Sequence, residues 1–392
     1  MRRKSRSWTR FSTWCLLLPS LLTACQAVNS AGTSPDDCLP PLFEFSFPYR
    51  EEGITDTAHS LPSIPGITQQ VDEEGVPVTV FEGKLVVRGA DEIWLVEPLM
   101  RYTPSTRVAR EYVILGADGL QAYPKLPFLG SDGTLYVQAV NSTFTGILVA
   151  RYDDQHDKFE VITAESDVFT DNGAGARTVH EIVEDRSGNF WFIYNDILTR
   201  FNPMTLEAEH VLGREQGYVP ISTLVISPGN SLWTAAEVLG KNGGDDAMDL
   251  GIQVIRYDIS TGDIQQFGAP PGLQESGWEL FLDHRGRLWF NDFGYLELNK
   301  DGSGTWYQVI RSPIFISDRS GNYRYVWRIP EPKLETRERH LWFTFSGLAR
   351  LDLETNQWCL VSRTPVSSVA KDGEENLWFL SDNQLYKYDF DS

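Results

Sequence analysis

The sequence predicts an all-β fold, a seven-bladed β-propeller, and three observations support this prediction. Apolar runs with a large aromatic residue at their centre recur at spacings of 36 to 56 residues, the length of a four-stranded blade with insertions. Gly, Asn and Asp separate the runs, as tight hairpins require. No strong helical periodicity longer than a few turns interrupts them. Seven units are present, with six or eight blades as alternatives, and their central aromatic residues are Trp94, Tyr136, Trp191, Trp233, Trp289, Trp342 and Trp378.

The stretch Ser187–Pro203, SGNFWFIYNDILTRFNP, shows the repeating unit most clearly. A Ser-Gly turn precedes an apolar run around Trp191, a polar break follows at Asn195–Asp196, and a second run ends in another turn. This order is typical of a β-hairpin. Because one small twisted sheet cannot bury both of its faces, such units must stack around an axis. We therefore expect each central aromatic side chain to fill the space between adjacent sheets.

The last unit indicates how the ring closes. It stops at Phe390, directly after its third run, and has no fourth strand of its own. An N-terminal run can supply this strand and so remove the exposed edges of the sheet. We expect Val76–Glu82 to do so, and Phe43–Phe47 is the alternative.

The N-terminus has the features of a secreted lipoprotein. A basic start precedes the apolar run Trp14–Leu22, which is too short for a comfortable transmembrane helix. The following Leu22-Thr23-Ala24-Cys25 resembles the lipobox of bacterial lipoproteins, which implies that Cys25 is lipidated and that the protein is held at a membrane outside the cytoplasm. A plain secretory signal or a short membrane anchor is the alternative. The expected organisation is a signal peptide at residues 1–24, a flexible tether at 25–37, an irregular lead-in at 38–75 and the propeller at 76–392.

The charge and the cysteines restrict the partners and the compartment. Residues 1–24 carry five basic and no acidic side chains, so the mature chain has 29 basic and 54 acidic side chains and a net charge of −25. Such a surface repels nucleic acid, which argues against a nucleic-acid partner. Cys38 and Cys359 can pair as a disulfide in an oxidising compartment, and two buried free thiols are the alternative.

The repeat pattern D-x-x-G-x-L-W-F, followed by a break and L-x-R-x-D, resembles the repeats of two-component regulator propellers. It is also similar to the repeats of streptogramin lyase-like propellers, and the resemblance covers residues 76–390. It implies the fold but no single function, because propellers host sensors, lyases, hydrolases and scaffolds. The regulator family usually adds a membrane helix and a kinase module, which we do not expect here. The lyase family's metal-assisted elimination uses His and Glu, and no matching His-x-Glu-x-His cluster is present.

Candidate ligand-binding residues lie where the pattern places the mouth of the central channel, the usual ligand site of propellers. His180 and Trp278 each precede a central aromatic residue by eleven positions, and Trp327 begins the first run of the sixth unit. These side chains can stack on a sugar or another flat ligand, whereas packing between blades is the alternative. The polar breaks at the same end can form a ring, although hairpin turns alone explain such residues. They are Glu97, Asn195, Asp196, Asn291, Asp292, Ser381 and Asp382.

The sequence contains no catalytic or cofactor motif. None of the six histidines stands at metal-ligand spacing from another, and no G-x-S-x-G, Walker or C-x-x-C motif is present. We expect His284 and His340 to lie in solvated turns. We therefore expect no cofactor. The insertion Ala235–Gly251 contains Gly243–Asp246 and Asp249, which can bind Ca²⁺, but their spacing matches no calcium loop and favours a lid or a plain insertion.

These observations favour a monomeric, lipid-anchored propeller that binds a small molecule, a glycan or a protein as a sensing or assembly component. The alternative is an enzyme, either carbohydrate-active or streptogramin-lyase-like, with acid and base groups at the channel mouth. Two acidic side chains there within about 10 Å of each other, one with a raised pKa, would favour the enzyme. A pure scaffold is the third possibility, and a mouth filled by side chains would favour it.

Overall fold

Seven small antiparallel sheets, arranged in a ring, form the blades of a seven-bladed β-propeller, as predicted. Helical structure within the described residues is limited to the short 3₁₀ turn Arg214–Gln216, and none of them form a helix long and apolar enough to cross a membrane. The computed structural model describes residues 67–78, 84–143, 146–163, 181–239, 249–269, 279–291, 294–308, 316–317, 323–324, 331–345, 347–355, 358–362, 366–381 and 383–388.

The strands follow one another from the inside of each blade to its outside. The first of them in chain order are β1 (Ile67–Gln69); in blade 1, β2 (Leu85–Val87), β3 (Ile93–Leu95), β4 (Met100–Thr103) and β5 (Val108–Glu111); in blade 2, β6 (Ile114–Leu115), β7 (Gln121–Leu129), β8 (Leu135–Val140), β9 (Ile147–Asp153) and β10 (Lys158–Val161); and in blade 3, β11 (Ile182–Glu184), β12 (Phe190–Tyr194), β13 (Ile197–Asn202) and β14 (Glu207–Leu212).

In blade 4 two short strands share the inner position, and a separate pair of strands precedes blade 6. The remaining strands are, in blade 4, β15 (Tyr218–Pro220), β16 (Val225–Ile226), β17 (Ser231–Leu239), β18 (Asp249–Asp258) and β19 (Ile264–Gly268); in blade 5, β20 (Leu280–Leu282), β21 (Leu288–Phe290), β22 (Gly294–Leu298) and β23 (Gly304–Gln308); the pair β24 (Ile316–Ser317) and β25 (Tyr323–Arg324); in blade 6, β26 (Glu331–Glu335), β27 (His340–Phe345), β28 (Gly347–Asp352) and β29 (Trp358–Ser362); and in blade 7, β30 (Val366–Lys371), β31 (Leu377–Ser381) and β32 (Gln384–Tyr388).

An N-terminal strand closes the ring, as expected, but the expected segment was wrong. Strand β1 pairs with β32 as the outer strand of blade 7, whereas Val76–Glu82 was predicted for this position. The chain turns back after β1, so that Val71 bridges to Pro77, which has no N–H to give to a ladder. Val78 then packs in the buried cluster between blades 7 and 1. The alternative, Phe43–Phe47, lies outside the described residues.

The central aromatic residues fill the spaces between adjacent blades. Seven buried clusters occupy the seven interfaces of the ring, and each contains one of these residues. Trp191 of blade 3, for example, packs with Leu224 and Leu232 of blade 4. Trp378 of blade 7 packs with Leu85 of blade 1, which completes the ring. The prediction that these aromatic residues are structural is confirmed.

A buried carboxylate supports the turn between the first and second strands in three blades. Asp185, Asp283 and Asp372 each precede the central tryptophan by six residues and accept its indole N–H, at 2.8, 2.8 and 3.0 Å. Asp185 also accepts backbone N–H groups of its own turn, from Ser187 at 2.8 Å and Asn189 at 3.0 Å. One side chain therefore ties the turn to the buried wedge of the blade.

Candidate functional site

The inner strands of all seven blades surround a cavity of about 540 Å³. Polar and apolar groups contribute about equally to its lining, and one layer of the wall is apolar, because alternate residues of the inner strands point towards the cavity. The half-buried wall residues include Val86, Val183, Val225, Phe281 and Val369. A volume of this size holds a ligand as large as a short peptide or an oligosaccharide unit.

Polar and charged residues lie at the end of the cavity where the inner strands begin. Six blades contribute to this set, which we call the rim, and blade 2 contributes the apolar Leu126 and Pro127 at the same level. The polar breaks between second and third strands lie at this end too, since Glu279 of the rim exchanges backbone and side-chain hydrogen bonds with Asn291. The rim consists of Lys84, Glu181, Thr223, Glu279, Lys333, Ser367 and Ser368.

The charges of the rim are segregated around the ring. Blades 3, 4 and 5 contribute Glu181, Thr223 and Glu279 in this order. Blades 6, 7 and 1 contribute Lys333, the two serines and Lys84. The mouth therefore has one acidic half and one basic half. An ion pair between Lys333 and Glu279 marks one of the two boundaries between them.

Hydrogen bonds between blades hold the rim in place. The Thr223 hydroxyl accepts a hydrogen bond from the backbone N–H of Leu280 at 2.8 Å, and the Ser368 hydroxyl accepts one from Leu85 at 3.3 Å. Each bond joins inner strands of neighbouring blades, blades 4 and 5 in the first case and blades 7 and 1 in the second. Lys333 and the two serines belong to strands β26 and β30, whereas the other four rim residues stand one or two positions before the first residue of an inner strand. The hydrogen bonds between blades therefore help to hold these four in place.

Glu181 has an unusual protonation equilibrium. Burial of its carboxyl group in the cavity, together with the nearby Glu279 carboxylate, raises the pKa of Glu181 to about 7, although Lys84 and Lys333 act in the opposite direction. The effect follows from the cost of placing a carboxylate in a poorly solvated place beside a like charge. Near neutral pH this group can therefore either hold or release a proton.

Five of the predicted residues lie within the described part of the chain. Two of them have structural contacts of their own: Glu97 forms an ion pair with Lys125 of blade 2, and Ser381 is buried at the end of β31. Asn195 and Asp196 form the two-residue turn between β12 and β13, with φ angles of 49° and 61°. These left-handed values are those that a tight hairpin needs, so the turn role of both residues is established. The side-chain oxygen of Asn291 accepts a hydrogen bond from the Glu279 N–H at 3.2 Å, so Asn291 positions a rim residue. Whether any of the five contacts a ligand stays a prediction.

The other predicted functional residues lie outside the described residues, and their roles stay predictions. For Cys359, the backbone belongs to β29, and only its side chain lies outside the described set. The set comprises His180, Trp278, Trp327, Asp292, Asp382, Cys25, Cys38, Gly243–Asp246 and the side chains of Asp249 and Cys359.

Two histidines differ from the expectation of solvated turns. His284 lies 2.5 Å from Glu335 through its Nδ1 atom, in a contact that joins blades 5 and 6. His340 begins β27 and is half-buried, and this burial, with the positive charge of Arg350, lowers the pKa of its imidazole. Neither residue belongs to the rim. Among the described residues, no group of three or more His, Cys, Asp or Glu side chains can hold a metal ion.

Sequence reasoning missed the rim itself, although a simple offset marks it. The residue ten positions before the central aromatic is Lys84 in blade 1, Glu181 in blade 3 and Glu279 in blade 5. In blade 6 the rim residue Lys333 stands nine positions before the central aromatic residue, because a register shift lies between Pro332 and Leu334. The offset of eleven selects His180 and Trp278 instead, one residue before the rim. Adjacent residues of a strand point to opposite sides, so this single step changes the predicted lining.

No protein-family model matches this chain, and no curated protein matches it. Its structure is similar to a streptogramin B lyase, with a TM-score of 0.55 and 12% sequence identity over 82% of this chain and 96% of the lyase. It is similar to a protein described as the extracellular domain of a hybrid two-component system from B. thetaiotaomicron, with a TM-score of 0.57 and 13% identity over 84% of this chain and 41% of that one.

A third similar structure is PorZ of Porphyromonas gingivalis, a bacterial surface component of the type-IX secretion system. Its TM-score is 0.51, with 14% identity over 79% of this chain and 46% of PorZ. This chain therefore spans less than half the length of PorZ and of the two-component-system domain. At these identities the comparisons establish the fold: the chain has the propeller architecture of streptogramin lyase-like and two-component-system extracellular propellers, as its repeats predicted.

Proposed function

We propose that this protein is a lipid-anchored extracytoplasmic receptor or assembly component that binds a ligand at the rim of its central channel. The observation that carries the proposal is the segregated rim around a cavity to which all seven blades contribute. Four charged side chains around one cavity cost free energy to hold close together and to desolvate, so such an arrangement favours a binding role. Similar propellers in extracellular domains support the location.

The anchor is tested separately from the site. Metabolic labelling with a radioactive or alkyne-tagged fatty acid should mark the wild-type protein and leave Cys25→Ala unlabelled. Cys359→Ala serves as the matched cysteine control and should be labelled like the wild type. Equal labelling of Cys25→Ala would remove the anchor from the proposal without affecting the binding site.

The site is tested by a thermal-shift screen of the mature chain against amino acids, short peptides and oligosaccharides. A ligand that binds only the folded state raises its stability in proportion to the logarithm of ligand concentration over Kd. The stabilisation should be lost in Lys84→Ala and Glu181→Gln. It should persist in the control variants Lys158→Ala and Glu207→Gln, which change exposed charges far from the rim in the outer parts of blades 2 and 3. A ligand that stabilises every variant as much as the wild type would show that the binding site lies elsewhere.

The enzyme alternative also has a specific observation in its favour. Glu181 and Glu279 both line the mouth and interact electrostatically, and the pKa of Glu181 is raised to about 7. A carboxyl group that holds its proton near neutral pH can act as a general acid, with a second carboxylate as base or nucleophile. The similarity in fold to a streptogramin B lyase also supports the enzyme alternative.

Product analysis separates the two functions. An enzyme would convert the ligand, and Glu181→Gln would abolish turnover while the unconverted ligand still binds. A binding protein would return the ligand unchanged, and Glu181→Gln would weaken binding itself. Mass spectrometry of the ligand after incubation, with calorimetry on the same variant, gives both measurements.

A further inference from the structure

We propose that the ligand of the rim is a zwitterion with an apolar group, such as a short apolar peptide, whose ammonium group contacts Glu181 and whose carboxylate contacts Lys84. This inference rests on the proposed function, because it names the class of ligand for the same site. It is drawn from the order of the rim residues around the ring and from the apolar residues in the wall below them.

The acidic half of the rim suits a cation that can donate several hydrogen bonds. Glu181 and Glu279 offer carboxylate oxygens, and Thr223 between them offers a hydroxyl. Glu279 is already paired with Lys333, so Glu181 is the carboxylate left for a ligand's ammonium group on this side. A primary ammonium has three N–H donors and matches such acceptors better than the hydroxyl groups of a neutral sugar do.

The basic half suits a carboxylate. Lys84 begins blade 1, and Ser367 and Ser368 lie beside it in blade 7, so a positive charge and two hydroxyl donors come together. Lys84 lies close enough to Glu181 to lower its pKa, so both groups act on the same space. A ligand with both charges can therefore satisfy both halves at once, whereas a simple cation or anion meets one half that repels it.

Apolar residues lie below the two charged groups. Blade 2 separates Glu181 of blade 3 from Lys84 of blade 1, but its residues at this level, Leu126 and Pro127, are buried. Below them the wall includes the half-buried Val183 and Phe281. An apolar side chain that packs there strengthens binding by removing apolar surface from water. The volume of about 540 Å³ is large enough for two apolar residues.

Binding should also depend on pH, and the sign follows from the groups that face Glu181. Its neighbours at the mouth are Glu279, Lys84 and Lys333, and the pKa of Glu181 is raised to about 7. Because only the ionised carboxylate attracts an ammonium group strongly, affinity should increase as the pH rises from 5.5 to 7, where the peptide's amine, with an ordinary pKa of about 7.7–8.0, stays protonated. Glu181→Gln should remove most of this increase.

The test is isothermal titration calorimetry with the dipeptide Phe-Leu and its capped forms on the full mature chain. N-acetyl-Phe-Leu lacks the ammonium group, and Phe-Leu amide lacks the carboxylate. Each cap should weaken binding about tenfold or more, the usual loss for a charge-assisted hydrogen bond. In Glu181→Gln the acetyl cap should weaken binding little further, and in Lys84→Ala the amide cap should weaken binding little further. Each variant already lacks the side chain that would contact the capped group. Glu207→Gln and Lys158→Ala should behave as the wild type.

The outcomes separate this inference from the proposed function. Equal binding of the capped and uncapped peptides, or no binding of Phe-Leu, would overturn the zwitterion. If an oligosaccharide such as cellotetraose binds instead and loses affinity in Lys84→Ala or Glu181→Gln, the rim is a ligand site of another class. If no ligand found by the screen depends on either rim residue, both proposals fail.

Discussion

The reciprocal substitutions Asp185→Ser and Ser227→Asp test how the turns of the blades stabilise the ring. Asp185 accepts the indole N–H of the buried Trp191 at 2.8 Å. In blade 4 the equivalent position holds Ser227, six residues before Trp233. Among the described residues, nothing accepts a hydrogen bond from the buried indole N–H of Trp233. The chain therefore contains both forms of the same turn.

The expected magnitudes follow from these contacts. Burial raises the pKa of Asp185, but hydrogen bonds from Trp191, Asn189 and Ser187 outweigh it, and the pKa lies below the ordinary value. A buried donor that loses its charged acceptor costs about 1.5–3 kcal/mol, so Asp185→Ser should destabilise the fold by about 2 kcal/mol. Ser227→Asp should stabilise it by about 1 kcal/mol, since the added carboxylate must also be desolvated and the Ser227 hydroxyl bond to Ser231 is lost.

Urea unfolding of the mature chain, followed by tryptophan fluorescence, measures both effects as shifts of the midpoint at constant slope. Because the pKa of Asp185 is lowered in the folded state, the contribution of this carboxylate is present above its ordinary pKa and is lost as the pH falls through the folded-state pKa. The cost of Asp185→Ser should therefore be larger at pH 7 than at pH 3. An unchanged midpoint for Asp185→Ser, or a lower one for Ser227→Asp, would refute the role assigned to this turn.

Four further predictions concern single contacts. Arg339 has φ 66° at the turn position where blade 3 has Gly188 and blade 5 has Gly286. Arg339→Gly should therefore raise the free energy of unfolding by about 1 kcal/mol, and a lower urea midpoint would contradict the strain. Asp157 accepts hydrogen bonds from the hydroxyl groups of Tyr112 and Tyr152 between blades 1 and 2. Asp157→Ala should lower the free energy of unfolding by about 2 kcal/mol, and by less in a Tyr112→Phe/Tyr152→Phe background. Equal losses in both backgrounds would contradict this role. Because the pKa of Glu181 is raised to about 7, the contribution of this carboxyl group to stability is greatest at low pH and is lost as the pH rises through about 7. The urea midpoint of the wild type should therefore fall more between pH 5.5 and 8 than the midpoint of Glu181→Gln. Parallel curves of midpoint against pH would count against the burial of this carboxyl group. A non-reducing peptide map should link Cys38 to Cys359, and free thiols in both would exclude the disulfide.

The architecture was predictable because it depends on a period and on a few large side chains. Seven aromatic residues at blade spacing predict seven interfaces between blades, and each interface contains one of these residues. The closing strand was less predictable. Val76–Glu82 has the stronger alternating pattern, but pairing is decided by where the chain turns, and the turn after Val71 brings Ile67–Gln69 to the edge of blade 7.

The site was less predictable because lining depends on the direction of each side chain. Polar residues near the mouth were identified at the breaks, but Asn195 and Asp196 are needed for turn conformation, and Asn291 lies behind Glu279. Of the residues that line the mouth, Glu181 and Glu279 follow the candidates His180 and Trp278 by one position, and the others stand elsewhere in the repeating unit. Periodicity finds the strands, but only the three-dimensional register shows that two lysines and two glutamates from four different blades meet around one cavity.

A crystal structure of the mature chain grown with Phe-Leu would show what the rim binds. We expect electron density for the dipeptide at the rim, with its ammonium group within hydrogen-bond distance of Glu181 and its carboxylate within hydrogen-bond distance of Lys84. Density for the dipeptide on the outside of the ring, or a mouth filled by the protein's own side chains, would contradict it.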